Sequence, residues 1–336
     1  MTRHLITILL ALVLPAAILA QSSRIAFWNV ENFFDTRNDS LTNDDPFTPQ
    51  GTNHWTSSRF NLKCNNIYKT IVALDAPMVM GLAEVENDYV LSRLCLATPL
   101  RKLDYAFVHF DSPDPRGIDC ALLYRRNLFR PFYSSAISVS DTATRWYSRD
   151  LLLVGGTTSF GDSLFLLVCH LPSKLGAALA DHHRARIARR IRALADSLAV
   201  IHPCLPLVVM GDYNADPREP GFCSSFGFPD NLSPEAYPDD SLPSNPEGLV
   251  GLMYAFAEGD GSCSYADRWS FFDQFLVRFP ACSKYQQPSA QLFRPDFLVK
   301  PNPRSNSVRP FRTYSGPNYQ GGFSDHHPIY IDLSTK

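Results

Sequence analysis

The stretch LPLVVMGDYNA, residues 205–215, joins a short apolar run to an abrupt polar end. A continuous apolar run of this length, bounded by a glycine, is typical of a buried β-strand rather than a helix. Asp212 and Asn214 follow directly where the strand would end. Loops converge on binding sites at strand ends, so these two side chains are candidates for chemistry. The segment therefore predicts a sheet-based fold with a functional site at one edge.

Further apolar runs of strand length occur on both sides of this segment, at residues 24–30, 78–85, 119–125, 151–158, 164–170, 272–277 and 329–333. Two stretches have helical spacing instead. From Ser57 to residue 74, apolar residues recur every three or four positions, and residues 175–200 carry an apolar side among many arginines. Strands that alternate with helices predict stacked sheet and helix layers. Long loops are expected at residues 36–55, 229–248 and 300–323.

The first 20 residues have the features of a signal peptide. Arg3 and His4 precede an apolar run that ends in small residues at Ala20, and polar residues follow. The run is shorter than the roughly 20 residues that span a bilayer. We expect cleavage near Ala20, a single domain at residues 21–336 without a transmembrane segment, and export to the periplasm or the medium. An uncleaved membrane anchor is the alternative.

Charge and cysteine content narrow the possible functions. A formal net charge of −2 with 19% charged residues does not by itself indicate nucleic-acid binding, so a nuclease would depend on a local basic surface and a metal ion. Eight cysteines in an exported chain permit disulfides, and the lack of a C-x-x-C pair argues against structural zinc. Cys120 and Cys169 lie in strand-like runs, where a buried thiol and a bridge are both open.

Polar clusters stand beside the predicted strands at residues 28–32 (WNVEN), 82–85 (LAEV), 169–173 (CHLPS), 211–215 (GDYNA), 272–274 (FDQ) and 324–328 (SDHHP). Together they contain the groups that phosphoester hydrolysis needs. A hard divalent cation takes oxygen ligands, which Asn29, Glu84 and Asp325 would supply. Asp212 would deprotonate the attacking water, and Asn214 would orient the water or the phosphate.

Histidines complete this set. His170 and His326 can supply a proton or a positive charge to a departing alkoxide near neutral pH. A histidine in this role has its second nitrogen held by a carboxylate, and Asp273 is the expected partner of His326. His327 should point away from His326 if the segment is extended, as a packing or surface residue.

The order of these clusters, from WNVEN through AEV, HLPS, GDYN and FDQ to SDHHP, resembles the endonuclease/exonuclease/phosphatase superfamily, to which pancreatic deoxyribonuclease belongs. The similarity extends from Asn29 to His326, and GDxN followed far downstream by SDH is its most diagnostic pair. The resemblance implies an α/β protein built as a four-layer α/β/β/α sandwich with two mixed β-sheets. It also implies Mg²⁺ or Mn²⁺, and in-line attack of water without a covalent enzyme intermediate.

Carried over by position, the resemblance implies roles for individual residues. The metal site would consist of Asn29, Glu31, Glu84 and Asp325. The catalytic set would consist of His170, Asp212, Asn214, Asp273 and His326. Family members differ in whether the equivalent of Asp212 or the aspartate–histidine pair acts as general base, and both assignments stay open.

Substrate binding is predicted for Arg116, which resembles a family arginine poised for the scissile phosphate, and for Lys174 and Arg184 in the basic region near His170. A solvated turn or helix face is the alternative explanation of these cations. We expect an exported nuclease that acts on DNA or RNA, with no obligate protein partner. A phosphomonoesterase or phospholipid phosphodiesterase is the second interpretation. A catalytically inactive binding module is the third, and the complete catalytic set counts against it.

Overall fold

Two β-sheets packed face to face form the centre of the molecule. The computed structural model describes residues 23–174, 177–229, 244–245, 248–265, 267–303 and 307–336. The expected signal peptide at residues 1–20 lies outside the described residues. Across the described chain, every helix is too short or too polar to cross a bilayer.

The described helices are α1 (Ser57–Ala73), α2 (Asp88–Ala97), α3 (Ala177–Ile201) and α4 (Pro220–Phe226). The described strands are β1 (Arg24–Phe33), β2 (Val79–Val85), β3 (Tyr105–His109), β4 (Asp119–Arg125), β5 (Phe129–Ile137), β6 (Leu151–Thr158), β7 (Ser163–His170), β8 (Leu207–Asp212), β9 (Val250–Gly251), β10 (Cys263–Tyr265), β11 (Arg268–Ser270), β12 (Asp273–Arg278), β13 (Ala290–Leu292), β14 (Val299–Pro301), β15 (Val308–Pro310), β16 (Tyr314–Ser315), β17 (Asn318–Tyr319) and β18 (Ile329–Asp332).

Both large sheets have six strands and are mixed. The first has the order β13-β18-β1-β2-β4-β3, and its parallel pair is β1 with β2. The second has the order β5-β6-β7-β8-β12-β9, and its parallel pair is β7 with β8. The remaining neighbours in each sheet are antiparallel. The expected sandwich of two mixed sheets is confirmed.

Alternation of side chains along the strands builds the layers. In β8, Val208 and Met210 pack in the core between the two sheets, whereas Leu207 and Val209 pack against the helices on the outer face. A strand with both faces buried reads as a continuous apolar run, as residues 205–210 do. On the outer face of the first sheet, the apolar stripe of α1 packs in the same way. The order of layers is therefore helix, sheet, sheet, helix.

The predicted strands and both predicted helices are present, with ends shifted by up to three residues. The prediction missed α2, α4, β3, β5 and the two- and three-residue strands β9, β10, β11 and β13, because short elements with mixed polarity leave weak periodicity. The expected loop at 36–55 contains the 3₁₀ turn Asp45–Phe47, and the one at 300–323 contains short strands. The expected loop at 229–248 lies mostly outside the described residues.

Cysteine pairing is resolved by the structure. Cys204 and Cys282 form a disulfide that connects the segment before β8 to the segment after β12. Cys120 and Cys169, for which sequence allowed either state, are buried thiols.

Strand direction brings the polar clusters to a common edge. The parallel strands β1 and β2 end there in the first sheet, and β7 and β8 end there in the second. Because β12 runs antiparallel to β8, its first residue, Asp273, pairs with the last residue of β8, Asp212. His170 pairs with Asp212 from the other side. Residues far apart in sequence are thereby neighbours at one rim of the sandwich.

Candidate active site

Asp212 lies at the centre of this rim, flanked by His170 and Asp273 on the neighbouring strands. Its side chain is on the face of β8 that also carries Val208 and Met210, so it points between the two sheets. Across that gap, Nδ2 of Asn29 on β1 donates to Oδ2 of Asp212 over 3.0 Å. The backbone N–H of Asn214 donates to the other carboxylate oxygen over 2.8 Å. Asp212 thus joins the two sheets at the open end of the sandwich.

His326 and Asp273 form a buried pair beside Asp212. Nδ1 of His326 is 2.7 Å from Oδ2 of Asp273, and Nε2 of His326 is 3.7 Å from Oδ2 of Asp212. The ligand atoms of these three residues lie within 4.8 Å of one another. Hydrogen bonding at Nδ1 fixes the ring orientation and turns Nε2 toward the reaction site.

The segment that carries His326 is fastened to β1. The indole N–H of Trp28 donates to the carbonyl of His326 over 2.9 Å. Ser324 Oγ donates to the carbonyl of Asn29 over 2.7 Å and accepts from the backbone N–H of His326 over 3.0 Å. The next residue, His327, is fully buried and stacks on Trp269, as expected for a packing histidine. These bonds leave His326 little freedom to turn away.

Burial sets the protonation of the central groups. Burial raises the pKa of Asp212 to about 7, assisted by the negative charge of Asp273 and opposed by His326. Burial opposes the charged form of His326, but the carboxylates of Asp273 and Asp212 hold its pKa well above the ordinary value. An imidazolium next to a carboxylate that titrates near neutrality is an arrangement suited to proton transfer.

His170 is the counterpart with the opposite shift. Its Nε2 is 3.6 Å from Oδ2 of Asp212 and 4.0 Å from Oε1 of Glu84. Burial lowers its pKa well below the ordinary value, and the positive charges of Arg149 and Arg116 add to this. One histidine at the rim is therefore neutral and the other charged. Two groups of one chemical type with diverging pKa values indicate different roles.

Glu84 supplies the carboxylate on the first sheet. Its Oε2 accepts the backbone N–H of Asn32 over 2.8 Å, whereas Oε1 has two long contacts, 3.5 Å from Nδ2 of Asn29 and 4.0 Å from Nε2 of His170. The pairing of β2 with β4 shifts between Ala83 and Val85, so Glu84 occupies a bulge. Bulges near active sites redirect a side chain.

Left-handed backbone conformations cluster at the rim. Glu31, Asn32, Glu84 and Asn214 have φ values of 54°, 53°, 63° and 49°. Non-glycine residues in this region cost on the order of 1–3 kcal/mol each and persist where the surroundings fix them. These residues lie near Asn29 and Asp212. We infer that the fold accepts this conformational energy because it directs the side chains of the rim toward the site.

Glu31 and Asp325 belong to a separate charge network. Glu31 accepts from the backbone N–H of Thr313 over 2.6 Å and from Nε of Arg312 over 3.2 Å. Nη2 of the same guanidinium is 2.9 Å from Oδ2 of Asp325. Burial raises the pKa of Glu31 to about 7, with repulsion from Asp325 as a further cause. Both carboxylates therefore share one cation.

A buried lysine completes this network. Nζ of Lys63 donates to Thr313 Oγ1 and to the carbonyl of Phe323, each over 2.6 Å. Burial lowers its pKa to about 8, and nearby carboxylates, first Glu31, oppose the shift. Sequence analysis missed both Lys63 and Arg312. Lys63 stands three residues after Phe60 on the buried stripe of α1, and a lysine at such a position was the available signal.

The oxygen donors at the rim fit a hard divalent cation. Mg²⁺ binds through one or two carboxylates and fills its other positions with water and substrate phosphate. Oε1 of Glu84 has no strong protein partner among the described residues, and the amide of Asn29 is beside it. Glu31 and Asp325 are already bridged by Arg312, so Glu84 is the best-placed ligand.

The side chains of the remaining predicted residues contact other parts of the chain rather than Asp212. Asn214 directs its Nδ2 to the carbonyl of Leu171 over 2.9 Å. Arg116 is half exposed beside Asp114. Lys174 forms a surface ion pair with Glu219. Arg184 donates to the carbonyl of Pro172 over 2.9 Å and pairs with Asp181, so it supports the segment after His170. Substrate binding by these three cations stays a prediction.

Comparison with known proteins gives a match over nearly the whole described chain. The model of the endonuclease/exonuclease/phosphatase family matches residues 24–335. No curated protein sequence matches.

Solved structures with a similar fold include TDP2 from D. rerio in complex with single-strand DNA product, with TM-score 0.55, 17% identity, and coverage of 93% of this chain and 98% of that one. A family member from Bacteroides vulgatus has TM-score 0.56 and 14% identity over 93% and 98% of the chains. Mannosyl-6-phosphatase from Bacteroides thetaiotaomicron has TM-score 0.54 and 14% identity over 93% and 99%. At these identities the likeness is one of fold.

Proposed function

Because the chain belongs to the endonuclease/exonuclease/phosphatase family, whose members hydrolyse phosphate esters, we propose that it is an exported nuclease that depends on Mg²⁺ or Mn²⁺. One observation carries the proposal: the Asp212 carboxylate has a neutral His170 on one side and the charged Asp273–His326 pair on the other. That is the set of groups needed to activate water and to protonate a leaving alkoxide.

Hydrolysis of a phosphate ester has three requirements. A water must lose its proton, the phosphate must be held with its negative charge compensated, and the departing oxygen must gain a proton. Asp212, with a pKa of about 7 raised by burial, is suited to take the proton of the water. His326, whose pKa is raised by Asp273 and Asp212, is suited to give one to the leaving oxygen. The alternative in which the Asp273–His326 pair acts as base uses the same contacts.

Phosphate binding falls to the neighbouring groups. The neutral imidazole of His170 can donate from Nε2 to a phosphoryl oxygen, and the amides of Asn29 and Asn214 can hold the attacking water or the ester. Glu84, with Asn29 next to it and Asp325 and Glu31 beyond, would hold the divalent cation, which when bound supplies charge neutralisation of the phosphoryl oxygens.

The cation available for a further phosphate of a nucleic acid is Arg116. Arg116 and Arg149 both lower the pKa of His170, but Arg149 is buried against Asp114, whereas Arg116 is half exposed and can contact a phosphate beside the reaction site. A phosphomonoesterase or phospholipid phosphodiesterase is the second candidate, because the catalytic groups would serve any phosphate ester.

Export is proposed from the N-terminal sequence, with cleavage near Ala20. The disulfide between Cys204 and Cys282 supports it, since such bonds persist in oxidising compartments. N-terminal sequencing of protein recovered outside the cytoplasm should start near Gln21. Protein retained in the cytoplasm with an intact N-terminus would contradict export.

A substrate panel tests the activity. Purified mature protein should cleave DNA or RNA oligonucleotides with Mg²⁺ or Mn²⁺ and lose activity in chelator. Mannose 6-phosphate, inositol phosphates and sphingomyelin serve as the competing substrates. Release of phosphate or phosphocholine from one of these, without cleavage of any nucleic acid, would overturn the nuclease proposal and leave phosphoester hydrolysis in place.

A further inference from the structure

A cavity of about 320 Å³ opens beside the segment that follows His170. Its wall includes Arg116, Trp146, Tyr147, Arg149, Pro172 and His183. The volume is at the lower end of the range for small-molecule sites, enough for one compact group and too small for a duplex. Among these residues, Arg116 is a predicted phosphate contact and Arg149 helps to lower the pKa of His170. The others have no role in the site described above.

The cavity is joined directly to the catalytic rim. Nη2 of Arg149 donates to the carbonyl of Leu171 over 2.9 Å, and the same carbonyl accepts Nδ2 of Asn214 over 2.9 Å. Arg149 is itself fixed by a buried ion pair with Asp114, at 3.0 Å. A group bound in the cavity would therefore lie next to the segment after His170, on the side of the site where a phosphate between His170 and Asp212 would be held.

One side of the cavity is an ordered aromatic surface. The rings of Trp146 and His183 stack with centroids 3.8 Å apart and an angle of 5° between their planes. Backbone hydrogen bonds of 2.7 and 2.9 Å between Asp141 and Trp146 close the turn that carries the indole. The guanidinium of Arg186 lies 5.8 Å from the ring of Trp146 and pairs with Asp141 at 3.0 Å. The surface is thus held in position before any ligand arrives.

The polar groups of the wall that an occupant can reach belong to exposed residues. Arg116, Tyr147 and Ser173 are exposed among the lining residues, and they offer a guanidinium and two hydroxyl groups. By contrast, Ser148 Oγ, Arg149 Nε and His183 Nδ1 are buried without accessible surface and do not face the cavity.

The composition of the wall favours a planar base over a sugar. A sugar presents several hydroxyl donors, each of which needs an acceptor once it leaves water. The described lining contains no carboxylate or carboxamide side chain. It contains aromatic rings and cationic groups instead, which suit the π-face and the acceptor edges of a nucleobase.

We propose that this cavity receives one unstacked nucleobase from the nucleotide adjacent to the scissile phosphate. The proposal rests on the nuclease function. A base enters such a cavity only after it has left its stack, so single-stranded nucleic acid is the favoured substrate and a duplex must first be opened. The indole of Trp146, backed by the ring of His183, supplies the stacking surface, and Arg116 holds the phosphate at the entrance.

The test compares two substrates with two forms of the enzyme. The substrates are a single-stranded oligonucleotide and the same oligonucleotide with one abasic residue beside the cleaved linkage, and the enzymes are the wild type and a Trp146 variant. With the wild-type enzyme, removal of the base should lower kcat/KM by about 10- to 100-fold, the usual scale of base stacking on an aromatic residue. Trp146→Ala should lower kcat/KM for the intact oligonucleotide by a similar factor and abolish discrimination against the abasic one. Trp146→Phe should recover most of the discrimination, and Tyr133→Ala, an exposed aromatic residue on β5, should leave it unchanged.

The outcomes separate the two proposals. Cleavage of intact and abasic oligonucleotides at equal rates by the wild type overturns the base cavity and leaves the nuclease function standing. Discrimination that survives in Trp146→Ala overturns the assignment to this cavity. Hydrolysis of other phosphate esters without cleavage of any oligonucleotide overturns both. Because the abasic comparison uses the wild-type chain, it holds even when Trp146→Ala folds poorly.

Discussion

The two halves of the rim use buried carboxylates in different ways. In the acid–base half, Asp212 and Asp273 face histidine, and no lysine or arginine contacts them in the described structure. In the metal half, Arg312 bridges Glu31 and Asp325. Asn29 touches both halves, because its Nδ2 reaches Asp212 at 3.0 Å and Glu84 at 3.5 Å.

The difference concerns where protons can move. Arg312 keeps its proton, so it gives Glu31 and Asp325 a fixed positive partner that cannot exchange a proton with them. A carboxylate facing an imidazole can exchange a proton with it, because an imidazole, unlike a guanidinium, can lose its proton. The acid–base half is therefore built for proton transfer and the metal half for fixed charge. Substitutions in the two halves test that division, and those in the acid–base half should have the larger effects on the rate.

Replacing Asp212 by asparagine should lower kcat by roughly 10³- to 10⁴-fold, because the variant keeps the shape and loses the proton acceptor. Steady-state kinetics on an oligonucleotide measures the loss. Asp332→Asn is the matched control, since Asp332 on β18 pairs with Arg24 at the start of β1, away from Asn29 and the rim. Activity near the wild-type level in Asp212→Asn would remove Asp212 from the reaction.

Replacing Asp273 by asparagine should reduce kcat by about 10²-fold and change the pH profile. The active form needs Asp212 without its proton and His326 with one, so kcat/KM rises with pH through the pKa of Asp212, about 7 without bound cation, and falls as His326 deprotonates. Loss of the Asp273 charge lowers the His326 pKa, which moves the alkaline limb to lower pH. An unchanged alkaline limb would show that another group controls it.

Glu84→Gln should raise the Mg²⁺ concentration for half-maximal activity by about tenfold or more, since one carboxylate ligand becomes a neutral amide. The thermal unfolding midpoint in chelator should change little, because the amide retains the acceptor for the Asn32 N–H. Glu258→Gln, at an exposed position, is the control. An unaltered metal requirement together with a collapsed midpoint would mark Glu84 as structural.

Lys63→Met should reduce the free energy of unfolding by about 1–3 kcal/mol, because Thr313 Oγ1 and the Phe323 carbonyl lose a buried donor. Chemical denaturation measures the change, and Lys69→Met, exposed on the same helix, is its control. The rate should fall less than in Asp212→Asn. If Lys63→Met is as stable as the wild type but loses as much activity as Asp212→Asn, Lys63 takes part in the reaction. The division between the two halves would then be wrong.

Sequence predicted the centre of the sandwich well. Runs such as residues 205–210 are apolar because both faces of β8 are buried, and that pattern leaves few alternatives to a strand. The expected pairing of Asp273 with His326 agrees with the 2.7 Å contact. The nuclease function and the residue roles are proposals that the variants above test.

Two features escaped sequence analysis for physical reasons. The roles of Lys63 and Arg312 depend on contacts with residues that are about 250 or more positions away in the sequence. Local hydrophobic periodicity does not predict contacts of this range. The cavity next to His170 is formed by the turn at Trp146, the start of α3 and the segment after β7. Because these segments are separate in the sequence, no single sequence motif predicts the cavity.

The proposed mechanism requires a hard cation bound to Glu84 beside Asp212. Anomalous diffraction from crystals soaked in Mn²⁺ locates such a cation. We expect a peak within coordination distance of the Glu84 carboxylate, next to Asn29, that disappears in Glu84→Gln. A strongest peak at the cluster of His109, Asp111 and Asp119, with none at Glu84, would contradict it.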